Sequence, residues 1–476
     1  MRIVIDLQGA QSASRYRGIG RYTLELAKEM VRQRGEHEIL IVLNGLFPET
    51  IVPIQDAFKN LLPIENILTW HAPGPVFGSS WNDAKRRHNA ELIREQFLAS
   101  LKPDIVHITS LIEGYADNVV NSVGLSPTPI LTAVTSYDFI PLIYKNIYLT
   151  PNPKFELLYR EKLEHLNRAH LLLAISESSR LEAIQYLGVE PSDVINISAA
   201  ADPKFKPIDV PRDIEQSLRQ KYDLMHPFIM YSGASDPRKN LLGLIKAFAN
   251  LHPEIRNSRQ LAIVGKLPKI DRMLFEFCIK SYGLKPNHVV ITDEVTDEEM
   301  ILFYNLCELF VFPSWHEGFG LPVLEAMSCG APVICSNTSS LPEVIGRQDV
   351  LFDPFNESTI TKKIEDVLFN SALREELIEH GLTHSRKFSW EKSAQTTLMA
   401  LEKCVIQNKH LLSNQTAFES EEWLKVASNK QKQILNKLTT RNLKLRIMMV
   451  LRVGLGLRLI QRLRLILTII YKSKLK

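Results

Sequence analysis

The five cysteines of this 476-residue chain, at positions 278, 307, 329, 335 and 404, form no CxxC pair and no cluster. A disulfide framework and a zinc site of ordinary spacing are thereby excluded, and the thiols read as core residues of a reducing compartment. A leader-like apolar run is missing as well. MRIVIDLQGAQ carries Asp6 inside its first apolar stretch, so it reads as a strand and the protein is expected in the cytoplasm. There is no Asp-x-Asp triad and no set of histidines at metal spacing, so no metal is expected. The glycine pair in SRYRGIGRY, Gly18 and Gly20, lacks the third glycine of the dinucleotide fingerprint, and no acidic residue closes a second strand as that motif needs. A hydride-transferring nicotinamide enzyme is therefore disfavoured.

What is present is the composition of a globular protein, 45% hydrophobic and 23% charged, in a chain long enough for two cores. The net charge of +4 hides an asymmetry: from Arg441 to Lys476 there are six Arg, four Lys and no acid. The rest of the chain is acidic on balance, which argues against nucleic acid as a partner and leaves the tail to be explained by itself.

Short apolar runs alternate with longer amphipathic segments in two series, the pattern of βα units around parallel sheets. The first contains RIVIDL, EILIVLN, DIVHIT, ILTAVT and LLLAIS; the second contains FIMYSG, LAIVG, HVVITD, LFVFPS and PVICS. The proline-rich ADPKFKPIDVPRD, residues 201–213, lies between them. The expected organisation is a first domain over 1–210, a second over 211–390, a helix over 391–408 running back toward the first domain, and a linker with a basic tail over 409–476.

Four stretches carry candidate chemistry. In LFVFPSWHEGFGLPVLEA, a buried-strand pattern runs into Gly-Phe-Gly-Leu-Pro, which supplies backbone freedom and a proline fit for a helix's first turn. Glu317 is expected in the strand-to-helix loop and Glu325 about one turn into the helix, at the carboxyl edge where open α/β sheets bind ligands. The amides of Gly318, Phe319, Gly320 and Leu321 would then face the same crevice and favour an anion. Read in isolation, the two are a loop glutamate and a helix-surface glutamate. In YSGASDPRKN, Arg238 and Lys239 are expected to open the next helix, where the dipole disfavours cations unless an anion joins them. Gly18 and Gly20 are expected in a loop facing substrate across the cleft, ahead of a helix from about Tyr22. Asp138, in TSYDFIPLIY, falls at another strand's carboxyl end. His107 reads as a core histidine, and Thr296 with Glu299 as a capping box.

These residues resemble the retaining glycosyltransferases of family 4, over roughly residues 1–405. The resemblance implies the GT-B fold, two facing Rossmann-like α/β domains with parallel sheets. Glu317 and Glu325 match the family's E-x7-E pair, and Arg238 and Lys239 match its phosphate-binding basic pair. By that resemblance Glu325 binds the nucleotide ribose, Glu317 with the Gly318–Gly320 backbone holds the donor sugar, and Arg238 and Lys239 neutralise the diphosphate. Val295 faces the base, and Asp138 joins the catalytic group. DLQGAQSASRYRGIGRY, SYDFIPLIY and HLLLAISESSR further resemble bacterial mannosyltransferases that build O-antigen from GDP-mannose. One departure stands out: many members have a histidine where this chain has Tyr137. The implied partners are a nucleotide-sugar donor and a lipid-linked oligosaccharide acceptor, with no cofactor beyond the co-substrate. A UDP-hexose donor and a non-catalytic scaffold subunit of a transferase complex remain as alternatives.

The tail is rich in Leu and Ile, yet arginines at 446, 452, 458, 462 and 464 make a spanning helix costly, at about 2.5–3.5 kcal/mol for each charge in hydrocarbon. A helix over 441–476 gathers Arg441, Lys444, Arg452, Arg458, Arg462 and Lys472 on one side and leaves Arg446 and Arg464 off it. It is expected to lie on the anionic inner face of the cell membrane, with docking onto a partner glycosyltransferase as the alternative.

Overall fold

The computed structural model describes residues 1–409; the basic tail and the expectations placed on it lie outside the described residues. Two all-parallel sheets organise this part of the chain. The first has seven strands: β1 (Arg2–Asp6), β2 (Glu38–Asn44), β3 (Ile67–Trp70), β4 (Ile105–Ile108), β5 (Thr132–Ser136), β6 (Leu171–Ala174) and β7 (Val194–Asn196), in the order β3-β2-β1-β4-β5-β6-β7. The second has six: β8 (Phe228–Ser232), β9 (Gln260–Val264), β10 (Val289–Ile291), β11 (Leu309–Phe312), β12 (Val333–Ser336) and β13 (Leu351–Phe352), in the order β10-β9-β8-β11-β12-β13. In each sheet the order reverses beside the first strand, between β1 and β4 and between β8 and β11. Loops on either side of such a reversal diverge and leave a crevice at the carboxyl edge.

The strands are buried on both faces, which is why they read as unbroken apolar runs. In β1, Ile3 and Ile5 pack into one core cluster and Val4 into another on the opposite face of the sheet. Strands β3 and β13, ILTW and LF, were not visible as apolar runs in the sequence; the first is only partly buried in its middle and the second is two residues long.

The loops at the two carboxyl edges face each other. Ser179 Oγ donates to the Tyr137 carbonyl at 2.6 Å and lies 3.1 Å from the carbonyl of Gly318 in the second domain. The helix Trp390–Gln407 crosses back to the first domain, with the Trp390 ring edge-on to Tyr22 at 5.2 Å and His37 Nε2 2.8 Å from Glu402. Among the described residues no helix is long and apolar enough to cross a membrane.

Candidate active site

Glu317 stands in the loop between β11 and the helix Leu321–Ser328. Two serines after β12 fix that loop. Ser339 Oγ accepts the Glu317 amide at 2.9 Å, and Ser340 Oγ donates to the carbonyls of Glu317 and Phe319 at 3.0 and 2.6 Å. Gly320 takes φ +108 at the helix N-cap, a conformation open mainly to glycine. Gly318 lies so close to the first domain that an added Cβ would stand 2.6 Å from the Tyr137 carbonyl oxygen.

Arg238 and Lys239 do not open an α-helix, contrary to the expectation from sequence. They occupy a 3-10 turn, Pro237–Lys239, that Asp236 caps by accepting the Arg238 amide at 3.1 Å. Asn240 follows with φ 57, and the α-helix begins only at Leu241. The left-handed residue turns the chain between the two elements, so both cations point at Glu317 instead of stacking on a helix end. Lys239 Nζ stands 2.5 Å from Glu317 Oε1, and Arg238 Nη1 stands 2.8 Å from Oε2 and donates to the His316 carbonyl. Lys239 also lies over the Phe312 ring at 5.0 Å, a favourable place for a cation.

The electrostatics follow from this packing. Burial would push the Glu317 carboxyl up, but Arg238 and Lys239 outweigh it and hold it down at about 2. Burial pushes Lys239 down against the pull of Glu317. Arg238 is also penalised by burial, yet Glu317 and Asp138 more than offset this and raise it. Asp236 adds a second carboxylate to the cluster, 3.5 Å from Arg238 Nε.

Glu325 sits one turn into its helix and is not in contact with that cluster in the hydrogen-bond network. Its Oε2 accepts from the Tyr304 hydroxyl at 3.0 Å, and Tyr304 in turn pairs with Ser232 at the end of β8 at 2.8 Å. Burial raises the Glu325 carboxyl, with Arg21 of the first domain opposing. Val295 lies partly buried in the loop after β10, directly before the capping box of Thr296 and Glu299.

On the first-domain side, Asp138 follows β5 and accepts the Ile140 amide at 3.1 Å; burial raises its carboxyl while Arg238 opposes from across the cleft. Tyr137 turns inward. Its hydroxyl donates to the Thr109 carbonyl at 3.0 Å and pairs with Thr23 at 3.1 Å, so its side chain serves the first domain's packing. His107 is a core residue, 2.8 Å from Thr135 Oγ1, and burial lowers it to about 4.

The expectation of a glycine loop needs correction. Gly18 and Gly20 belong to the first turn of the helix Gly18–Arg32, which starts four residues earlier than expected. Gly20 is required by packing, because an added Cβ would stand 2.2 Å from the Arg15 carbonyl oxygen. Gly18 does look across the cleft: the nearest atom to an added Cβ is Leu321 Cδ1, at 3.8 Å.

Several residues at the cleft had no signal in the sequence, because they are brought together from separate loops. Arg21 pairs with Asp297 at 2.6 Å, and Lys204 reaches the same carboxylate at 2.7 Å. His316 pairs with Glu182 at 2.8 Å. Glu113, after β4, lies 3.4 Å from Ser14 Oγ, and burial together with nearby Asp117 pushes its carboxyl up to about 7. Among the described residues no group of acidic, histidine or cysteine side chains could hold a metal ion.

Two parallel sheets with facing carboxyl edges define the GT-B class. The comparison with solved structures agrees: sucrose-phosphate synthase from Thermosynechococcus elongatus superposes with a TM-score of 0.64 at 16% identity, over 86% of this chain and 100% of that one. Residues 214–384 match the family model described as glycosyl transferases group 1. The serotype-specific mannosyltransferase WbdA of Escherichia coli is 38% identical over 84% of this chain and 47% of its own length. The O-antigen chain mannosyltransferase B of Escherichia coli is 29% identical over 80% of this chain and 95% of its own length. The chain thus spans about half the length of WbdA and nearly all of the shorter relative.

Proposed function

We propose that this protein is a retaining, metal-independent mannosyltransferase that moves mannose from GDP-mannose to a lipid-linked oligosaccharide in bacterial O-antigen synthesis. The observation that carries the reading is the convergence of Lys239 and Arg238 on Glu317 beside the Leu321–Ser328 helix start, in a chain whose relatives are named mannosyltransferases. Breaking the bond between sugar and phosphate leaves negative charge on the diphosphate. Arg238, Lys239 and the amides of Gly318 to Leu321 are preorganised to stabilise that charge as it develops. Two fixed cations then supply what a divalent metal supplies elsewhere, and a chelator should leave transfer intact.

In this assignment Glu317 accepts hydroxyls of the donor sugar, with Phe319 shaping the loop, and Glu325 binds the ribose, having one oxygen engaged by Tyr304. Val295 faces the base. Asp138 lies on the acceptor side of the reacting centre, and the first domain, about residues 1–210, carries the acceptor. Closure of the two domains excludes water so that transfer outruns hydrolysis. The basic segment 441–476 attaches the protein to an anionic membrane surface, where lipid-linked acceptors reside, with a partner glycosyltransferase as the competing target. Incubating the protein with GDP-mannose, UDP-glucose and UDP-galactose and a lipid-linked mannoside, then assaying the released nucleotide and the product anomer, tests the reading. Release of GDP with an α-linked product is expected; release of UDP, or no transfer from any donor, overturns it.

A further inference from the structure

The helix Lys269–Ser281, between β9 and β10, is apolar on two opposite sides. Phe275 and Ile279 pack into the core. Turned away from them are Ile270, Met273, Leu274 and Phe277, which are 76, 69, 48 and 70% exposed. At about 100° per residue these four span an arc of about 100°, centred nearly opposite the buried pair. A surface helix ordinarily shows its apolar stripe to the core and polar residues to water. Among the described residues, the other large apolar side chains that are exposed stand singly or in pairs on their elements. A contiguous apolar patch of this kind marks a contact surface.

The charges around the stripe decide what covers it. Lys269 and Lys280 lie on one border and Lys285 follows in the next loop; all three are exposed and form no ion pair among the described residues. The acidic neighbours are engaged. Glu294 pairs with Lys266 at 3.0 Å, Asp293 with Arg272 at 3.2 Å, Glu276 lies 3.8 Å from Arg272, and Asp271 accepts from the Ser235 hydroxyl. The cover must therefore be apolar and anionic at once. Segment 441–476, with six Arg, four Lys and no acid, would set like charges together. A second copy joined about a two-fold axis would bring the same lysines to the interface from both sides. A bilayer with anionic headgroups supplies hydrocarbon for the stripe and phosphate for the lysines. Leu274 also lines a cavity of about 690 Å³ that it shares with Arg17 of the first domain, so the stripe reaches the mouth of the cleft between the two sheet units.

We propose that the outward face of the helix Lys269–Ser281, with Ile270, Met273, Leu274 and Phe277 at its centre and Lys269 and Lys280 at its border, docks on an anionic lipid surface. The inference rests on the reading above that the protein works at a membrane, and it adds a contact separate from segment 441–476. It seats the second domain on the bilayer with the mouth of the cleft beside it.

The test is partition of the full chain onto vesicles of phosphatidylethanolamine with phosphatidylglycerol, and of phosphatidylcholine alone, followed by sedimentation over a range of lipid concentrations. Met273→Ser combined with Phe277→Ser should lower the partition coefficient onto the anionic vesicles about tenfold or more. Lys269→Gln with Lys280→Gln should lower it about fivefold for each charge and leave binding to phosphatidylcholine unchanged. Leu181→Ser, at an exposed leucine of the first domain, should change nothing. A thermal melt shows that each variant is folded. The tail is followed in parallel through Arg452→Gln, Arg458→Gln and Arg462→Gln combined. A stripe variant that binds as wild type does, while the tail variant lets go, overturns the docking face and leaves the tail reading in place. The reverse outcome upholds the face alone, and a wild-type chain that ignores both kinds of vesicle overturns both. Loss of self-association in the stripe variant, with partition intact, gives the face to a second copy and overturns the lipid. None of these readouts needs GDP-mannose, so the face stands or falls apart from the donor assignment.

Discussion

Lys239 shares Glu317 with Arg238, and the pair differs in what burial does to each member. The guanidinium stays charged under any accessible condition, whereas burial pushes the ammonium down against the pull of Glu317. Lys239→Ala should therefore lower turnover by about 100-fold, the order seen when one preorganised electrostatic contact is lost, while Arg238 keeps Glu317 paired and the protein folded. Steady-state rates beside a thermal melt check this, and a folded variant with near-normal turnover removes the role. Glu113 gives a second prediction. Its folded-state pKa is raised from the ordinary carboxyl value to about 7, so its contribution to stability is fully present below pH 4.5 and is lost as pH rises through 7. Glu113→Gln should thus be more stable than wild type at pH 8, by up to about 2 kcal/mol after allowance for solvent screening, and nearly equal at pH 4. Urea midpoints at the two pH values decide it.

At the scale of elements, the first turn of the helix Gly18–Arg32 shows how a glycine pair can mislead. The two glycines are two residues apart, yet the structure gives them opposite surroundings. Gly20 is jammed against the Arg15 backbone, while Gly18 faces the cleft with ordinary contact distance to Leu321. Gly20→Ala should cost about 1–3 kcal/mol, as overpacking does, because the backbone it meets has no side chain to swing away. Gly18→Ala should be neutral or slightly stabilising, since alanine is the better helix former. Equal unfolding midpoints for the two variants would contradict the packing described here. The 3-10 turn Pro237–Lys239 teaches the same lesson: Asp-Pro followed by two cations reads as a helix start, and only the left-handed Asn240 shows that the helix is delayed.

At the scale of the molecule, the contacts between the two sheet units include polar ties that can be broken and remade. Asp297 joins Arg21 and Lys204, Glu343 accepts the amides of Glu177 and Ser178, and His316 meets Glu182. Such a contact resembles a transient interface, so relative motion of the units is expected. Arg21 and Asp297 are about two-fifths exposed, and an ion pair of that kind contributes at most about 1 kcal/mol. Asp297→Ala should accordingly leave the urea midpoint nearly unchanged but raise the share of donor that is hydrolysed instead of transferred, because closure is what excludes water. Product ratios with and without acceptor test this, and an unchanged ratio rules out a gating role for the tie.

The sequence by itself determined the two-sheet α/β architecture, because parallel strands buried on both faces must be continuous apolar runs, and ten such runs with amphipathic segments between them leave few other folds. It also determined that Glu317 lies in a loop and Glu325 in a helix, since Gly-Phe-Gly-Leu-Pro states its local geometry within a few residues. The tertiary structure decided which charges meet. Lys239 and Glu317 are 78 residues apart, and Tyr304 and Glu325 are 21 apart. No local pattern encodes those distances, because they arise from strand order and from loops brought together at a sheet edge. The direction of Tyr137 and the close packing at Gly20 belong to the same category. Each depends on the side chains that a distant segment places opposite it, which is a property of packing and not of spacing along the chain.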